Sequence, residues 1–292
     1  MTCFFEDLPL ADKERMLQWL DRKTEGDLIF DDRPFVKYHV RPTKRIELRS
    51  YVHSGNVRGN DLYSGTFTIV FTAYDPLGEM MYRFYDGVDQ DGAGNYCGIL
   101  DKSEMPAAPS AESRDFIMYN CGTEQANTII RIAGTAPNGL TIRNRTNGQT
   151  CVIRALPPET GYLELDSRMG RVDMINHGVR TLAYEYHDRG YITLEPFGRM
   201  WDNVLVEYEA GNNEITIRNI VPTQELVGQY VYLSGEWIRI IAVLATGHVV
   251  ITKRMENDGL ENTHLARMNE IEITGDNVEL TKLEVDYTPR IL

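Results

Sequence analysis

The sequence predicts a mainly β protein with one helix near its N-terminus. Three observations predict it. From about residue 27 onward, apolar and polar residues alternate with a period of two in segment after segment. Clusters of turn-forming residues separate those segments at short intervals, among them Pro137-Asn138-Gly139, Thr146-Asn147-Gly148 and Ser167-Arg168-Met169-Gly170. One early segment instead has a helical period: Leu10, Met16, Leu17 and Leu20 share a face, with Trp19 at its edge.

Residues 2–5 read as a strand. Asp7 then caps the helix, with Pro9 inside its first turn. Asp12, Lys13, Glu14, Arg15 and Asp21 keep the other faces wet, and Lys23 and Gly26 mark the helix end. Residues 28–30 form a short strand leading into the turn Asp31-Asp32-Arg33-Pro34. Tyr38 with Val40, and Ile46 with Leu48, suggest two strands separated by Pro42. Residues 53–61, with Gly55, Asn56, Gly59 and Asn60, read as an exposed loop. Residues 66–74 (TFTIVFTAY) are the strongest strand: Phe67, Ile69 and Phe71 make one face apolar, and Thr68, Val70 and Thr72 make the other small. Residues 86–109 contain Gly87, Gly92, Gly94, Gly98, Pro106 and Pro109 and read as a linker or arm.

A second β region opens near Tyr119. Strands are expected at residues 128–133, 140–144, 151–155, 162–166, 171–175, 191–194, 204–208 and 214–218, the spacing of an antiparallel sandwich. From Val221 onward, strands at residues 230–233, 237–244 and 248–253, with turns at Ser234-Gly235 and Thr246-Gly247, fit a small barrel. Strands then return at residues 270–274 and 280–287. The phrase NNEITI at 212–217 recurs as NEIEIT at 269–274. That fits an insertion of residues 221–268 between two sandwich edges, although a six-residue match also arises by chance.

A chain of 292 residues holds two or three domains and buries a core without needing disulfides or a metal. Its net charge of −13 opposes binding to nucleic-acid phosphates, despite a local basic patch at Arg41, Lys44, Arg45 and Arg49. Cys3, Cys97, Cys121 and Cys151 form no CxxC pair and read as free, buried thiols. No basic start followed by an apolar run precedes the fold, and no stretch is long and apolar enough for a membrane span. The expectation is a soluble protein without a cleaved export signal.

Little in the sequence carries chemistry. No GxSxG, HExxH or phosphate-binding glycine loop is present. Asp86, Asp89 and Asp91 lack the spacing and closing Glu of a helix-loop-helix calcium site, and a solvated loop explains them. Asp31 and Asp32, adjacent on a turn, do not suit the opposed acids of a glycosidase. His177 and His187 read as loop or sheet-surface histidines. Sixteen tyrosines, with Trp19, Trp201 and Trp237, suit cores and interfaces, and also the stacking of sugars. No catalytic, cofactor-binding or metal-binding residue is nominated, and no cofactor is implied.

Several segments together resemble one family. In the first part these are TCFFEDLPLADKERMLQWLD, GDLIFDDRPFVKYHVRP and YSGTFTIVFTAYDPLG; in the second, YNCGTEQANTIIRIAG, LTIRNRTNGQT, YLELDSRMGRV and LTKLEVDYTPRIL. No single piece is specific, but their order and spacing resemble the distal tail proteins of long-tailed bacteriophages across most of the chain except residues 86–118 and 221–268. The family's first domain begins with strands ahead of the segment seen here at residues 2–5. The resemblance implies a ring-forming tail domain at 1–85, a linker or arm at 86–118, and a galectin-like β-sandwich at 119–292 with an insertion at 221–268. It also implies a non-enzymatic ring subunit of a virion tail, phage or prophage, made in the bacterial cytoplasm. Six copies would close a ring between the tail tube and the tail-tip or receptor-binding proteins, with surface carbohydrate as a further contact in some members. The linker and the face of residues 66–74 are the expected contact material. The runner-up is a carbohydrate-binding module or adhesin, which explains the sandwich and the aromatics but not the FTAYDP and DDRP segments.

Overall fold

The computed structural model describes residues 2–20, 25–30, 33–43, 47–54, 61–73, 75–80, 106–157, 161–197 and 201–291. The protein is mainly β, with one α-helix and a closed barrel of six strands. Two units separate by their contacts, Met1–Glu79 and Met80–Ile291.

The first unit opens on β1 (Thr2–Pro9), followed by α1 (Leu10–Leu20). The strand runs further than expected and the helix starts later, so Asp7 lies in β1 and not at a helix cap. Cross-strand pairing decides this: Leu8 lies opposite Tyr63 and Pro9 opposite Leu62. Proline is tolerated there because β1 is an edge strand among the described residues. After β2 (Gly26–Phe30) and β3 (Arg33–Pro42) come β4 (Glu47–Ser54) and β5 (Asp61–Thr68). β1, β5 and β4 form an antiparallel sheet with β5 in the middle. Phe5, Phe67 and Ile69 are its buried core, with Leu8, Met16, Tyr63 and Phe71 packed against them.

The expected single strand at 66–74 is divided. β5 ends at Thr68, and β6 (Phe71–Ala73) pairs with β3 in a second sheet whose order is β2, β3 and then β7 (Gly78–Met80). The chain changes sheets at Ile69-Val70, where the Val70 carbonyl accepts bonds from the Thr43 amide (2.9 Å) and hydroxyl (3.1 Å). The alternation of faces nevertheless persists through the corner. Phe67 and Ile69 are buried, while Thr66, Thr68 and Val70 are exposed.

The expected linker at 86–118 falls largely outside the described residues, but its last four form β8 (Asp115–Met118), an edge strand of a sandwich. The sandwich continues with β9 (Ala126–Thr135), β10 (Leu140–Asn144), β11 (Thr150–Ile153), β12 (Gly161–Asp166) and β13 (Arg171–Asn176). Three short strands follow: β14 (Val179–Leu182), β15 (His187–Arg189) and β16 (Thr193–Leu194). At Gly134, a β-carbon would fall 2.1 Å from the Glu279 carbonyl oxygen and φ is +140, so glycine alone fits.

The barrel consists of β17 (Trp201–Tyr208), β18 (Glu214–Ile217), β19 (Tyr230–Leu233), β20 (Glu236–Val243), β21 (His248–Ile251) and β22 (Gly259–Ala266). They close in the order β17-β18-β21-β20-β19-β22. The barrel therefore takes in the strands at 204–208 and 214–218, which the periodicity had assigned to the sandwich. NNEITI and NEIEIT accordingly lie in different modules and do not mark two edges of one sandwich. β22 escaped the sequence reading because Glu261 and Thr263 interrupt its apolar pattern. Both are satisfied internally: Glu261 accepts a bond from the Tyr208 hydroxyl, and Thr263 donates to the Tyr232 carbonyl.

After the barrel the chain returns to the sandwich as β23 (Asn269–Thr274) and β24 (Glu279–Tyr287). β23 enters the middle of one sheet, β15-β11-β10-β23-β8, and β24 pairs along β9 in the other. The two sheets enclose Ile130, Ile132, Ile142, Ile153, Leu163, Leu165, Ile271 and Ile273.

Three fully buried asparagines hold the point where the barrel leaves and rejoins the sandwich. Asn269 Oδ1 accepts the Glu195 amide (2.8 Å) and an Asn144 Nδ2 proton (3.0 Å), and Asn269 Nδ2 donates to the Glu195 carbonyl (3.1 Å). Asn144 Nδ2 also reaches the Thr193 carbonyl (2.8 Å), and Asn120 Nδ2 the Leu194 carbonyl (3.0 Å).

The expectation of four free thiols fails at Cys121, which is disulfide-bonded. Sequence spacing does not reveal a pairing that only the fold brings together. Cys151 is free and buried, and the side chains of Cys3 and Cys97 lie outside the described set. Burial pushes the Cys151 thiol up to about 12.

Two outcomes are expected. Asn269→Ala removes three buried bonds and lowers the unfolding free energy by about 2–3 kcal/mol, measured as a lower urea midpoint with an unchanged slope. Cys151 resists alkylation in the native protein at about pH 8 and reacts on denaturation, because its thiolate is nearly absent when folded; mass spectrometry of iodoacetamide-treated protein checks this.

Candidate interaction surfaces

The sequence nominated no catalytic or metal site. Asp31, Asp32, Asp86, Asp89 and Asp91 lie outside the described residues. Among the described residues, no three His, Cys, Asp or Glu side chains are grouped to hold a metal. No helix among them is long and apolar enough to cross a membrane. The two histidines part company. His177 sits in the β13–β14 turn with φ 48, whereas His187 packs on Tyr191 at 4.9 Å, with its Nε2 2.7 Å from the Gly190 carbonyl. The aromatics divide between core and surface. Tyr119, Tyr208 and Tyr230 are buried, Tyr232 packs on Trp237, and Tyr162 lies under the Lys282 ammonium.

The first unit exposes apolar side chains on strands that are edges among the described residues. Phe4 on β1 is 60% exposed. On β2, Ile29 is 45% and Phe30 39% exposed, with Phe30 edge-on to Tyr38 at 5.9 Å. Leu10, at the start of α1, is also exposed. Burying such groups against another surface recovers free energy in proportion to their apolar area, and an edge strand offers unpaired N–H and C=O groups beside them. The expected contact face at 66–74 behaves differently, because Phe67 and Ile69 are already spent on the core.

The second unit carries a charged outer face that the sequence reading missed. One row across the sheet reads Glu284, Arg131, Glu164, Asp173 and Leu182 on β24, β9, β12, β13 and β14. Glu164 and Asp173 stand directly opposite each other with little exposure, an arrangement that repels unless cations intervene. Arg180 intervenes, reaching Glu164 Oε1 at 2.6 Å and Asp173 Oδ2 at 2.8 Å. Arg131 binds Glu164 at 2.8 Å on one flank, and also Asp286; Arg171 binds Asp173 on the other at 2.8 Å. Burial works against the charged form of Arg131, but its bonds to Glu164 and Asp286 outweigh it and hold the guanidinium above its ordinary value. The available signal was charge at every second residue, Glu164 with Asp166 and Arg171 with Asp173, which marks one face of a strand pair.

β14 borders this lattice as an edge strand, and Val179 and Leu182 on it are exposed, as are Met169 and Tyr184 nearby in sequence. An open cleft of mixed polar and apolar lining lies between barrel and sandwich. It is lined by Arg145, Thr146 and Glu270 of the sandwich and by Gln229 and Arg239 of the barrel.

No protein-family model matches the chain, and no curated protein matches it. Among solved structures it is similar to the Dit protein of phage SPP1, described as a paradigm of the hub adsorption apparatus in phages infecting Gram-positive hosts. The match has 11% identity and a TM-score of 0.39, over 99% of this chain and 75% of that one.

The lattice yields a directional test. Arg180→Ala is expected to destabilise the protein, because it removes the cation shared by Glu164 and Asp173 and leaves each with only its flanking arginine, Arg131 or Arg171. Adding Asp173→Asn relieves part of the loss, while Asp286→Ala on the exposed rim changes little. Thermal unfolding of Arg180→Ala, Asp173→Asn and their double, read as a double-mutant cycle with Asp286→Ala as the control, decides it.

Proposed function

We propose that this chain is a structural component of a phage or prophage tail tip, a ring subunit joining the tail tube to the host-recognition apparatus. Two lines support the reading. The first is the order and spacing of the sequence segments that resemble the distal tail family, including FTAYDP and DDRP in the first unit. The second, and the one that carries it, is that exposed Phe4, Ile29 and Phe30 lie on strands that are edges among the described residues. A closed ring needs two different surfaces per subunit, so that each copy docks head to tail on the next. β1 and β2 are edges of two different sheets, which supplies two such surfaces.

In this reading Met1–Glu79 builds the ring, and the sandwich and barrel of the second unit meet neighbouring tail proteins. The protein acts by assembly and performs no catalysis.

The test is the solution mass of the full chain by light scattering. A mass of about six subunits, lost to smaller species in Phe4→Asp and Ile29→Asp, is the expected outcome. A strict monomer at high concentration, or a mass unaffected by both substitutions, sinks the ring role.

A further inference from the structure

We infer that the barrel is a hinged module on the sandwich and that Glu270 is the latch that sets its angle. The two modules have separate cores. No residue of the cluster around Val204, Ile215, Leu226, Val231, Ile240 and Leu265 belongs to the cluster of the sandwich. An open cleft of about 260 Å³, lined by polar and apolar side chains alike, lies between them. Modules with separate cores move relative to one another unless a large apolar interface fixes them.

Among the described residues, the side-chain bonds from barrel to sandwich converge on one carboxylate. Glu270 Oε1 accepts the Tyr230 hydroxyl at 3.0 Å and Arg239 Nε at 3.0 Å. Tyr230 and Arg239 are directly opposite each other on β19 and β20, so the two donors form one rigid unit of the barrel. On the other side, Glu270 is fixed to the sandwich by its backbone. Its amide donates to the Thr146 hydroxyl at 3.0 Å, and its carbonyl accepts the Arg145 amide at 2.8 Å. Among the described residues, the latch therefore joins the barrel to the sandwich through one carboxylate.

The pivot lies close by. Only Arg267 and Met268 connect β22 to β23. Met268 belongs to the sandwich side, because it is buried and its carbonyl accepts the Thr146 hydroxyl at 3.3 Å. On this crossing the residue left without such an anchor is Arg267, which is exposed and lines the cleft. With the latch intact the cleft keeps one width. With it open, the barrel swings about the crossing that Asn269 and Glu195 pin together.

The test is single-molecule energy transfer on the full chain. Dyes are attached through azido-phenylalanine at Asn257 on the barrel and Asp276 on the sandwich, with doubly labelled chains diluted into unlabelled protein. The parent is expected to give one narrow distribution. Glu270→Ala should broaden it and shift its mean, and Tyr230→Phe, which removes one hydroxyl, should broaden it less. Asp188→Ala is the control, since Asp188 pairs with Arg154 on the sandwich and neither residue lines the cleft. Should Glu270→Ala fail to fold by circular dichroism, Tyr230→Phe and Arg239→Gln carry the test against the same control. Distributions unchanged by the latch variants, or broadened equally by Asp188→Ala, overturn the proposal.

Discussion

Burial of three asparagine amides at one junction is the constraint on which the second unit depends. β16 pairs with β9 through only two residues before the chain leaves for the barrel, so the carbonyls of Thr193 and Leu194 and both backbone groups of Glu195 are met by side chains. Those buried groups need partners, since an unpaired one costs about as much as a lost hydrogen bond. Asn144, Asn269 and Asn120 supply them, and Phe197 is held in turn by the Asn120 carbonyl at 3.0 Å. The same bonds bring the two ends of the barrel insertion side by side. A closed barrel with its own core is thereby accommodated without opening either sheet.

That arrangement shapes how the sandwich is completed. β23 lies between β10 and β8, so the middle of one sheet is filled by a strand that follows the whole barrel in sequence. β24 likewise pairs along β9 from Thr128 to Thr135 across a long separation. Such pairings are entropically costly to close, and the reward arrives only when the last strands dock. The charged lattice on the outer face works in the same direction. Arg131 joins β24, β9 and β12 through Asp286, Glu284 and Glu164, and it can do so only once β24 is in place.

Much of the β structure is legible in the residues themselves. The pattern LTIRN predicts a strand from Leu140 to Asn144 and YVYL one from Tyr230 to Leu233, and both form with those bounds. The faces are legible too, because Phe67 and Ile69 point inward as the alternation requires. Where the reading fails, a distant partner has overruled a local preference. Pairing with Tyr63 and Leu62 extends β1 through Pro9, and the pairing of Phe71 with Pro42 cuts one apparent strand in two. The surfaces are less legible than the core. Exposed Phe4 and Ile29 look in sequence like any other apolar residue of an alternating strand.

The sequence by itself determined most of the long strands and which of their faces are apolar, because the pleat alternates side chains residue by residue and needs no partner to do so; it did not reveal β22, whose apolar pattern Glu261 and Thr263 interrupt. Only the tertiary structure decided which sheet each strand joins. It placed Trp201–Tyr208 and Glu214–Ile217 in a barrel, Asn120, Asn144 and Asn269 around one junction, Cys121 in a disulfide, and Glu164 opposite Asp173 beneath Arg180. The physical reason is that pairing and closure are long-range. They depend on which backbone edges remain unsatisfied after every other strand has found its neighbour, and no window along the chain contains that information.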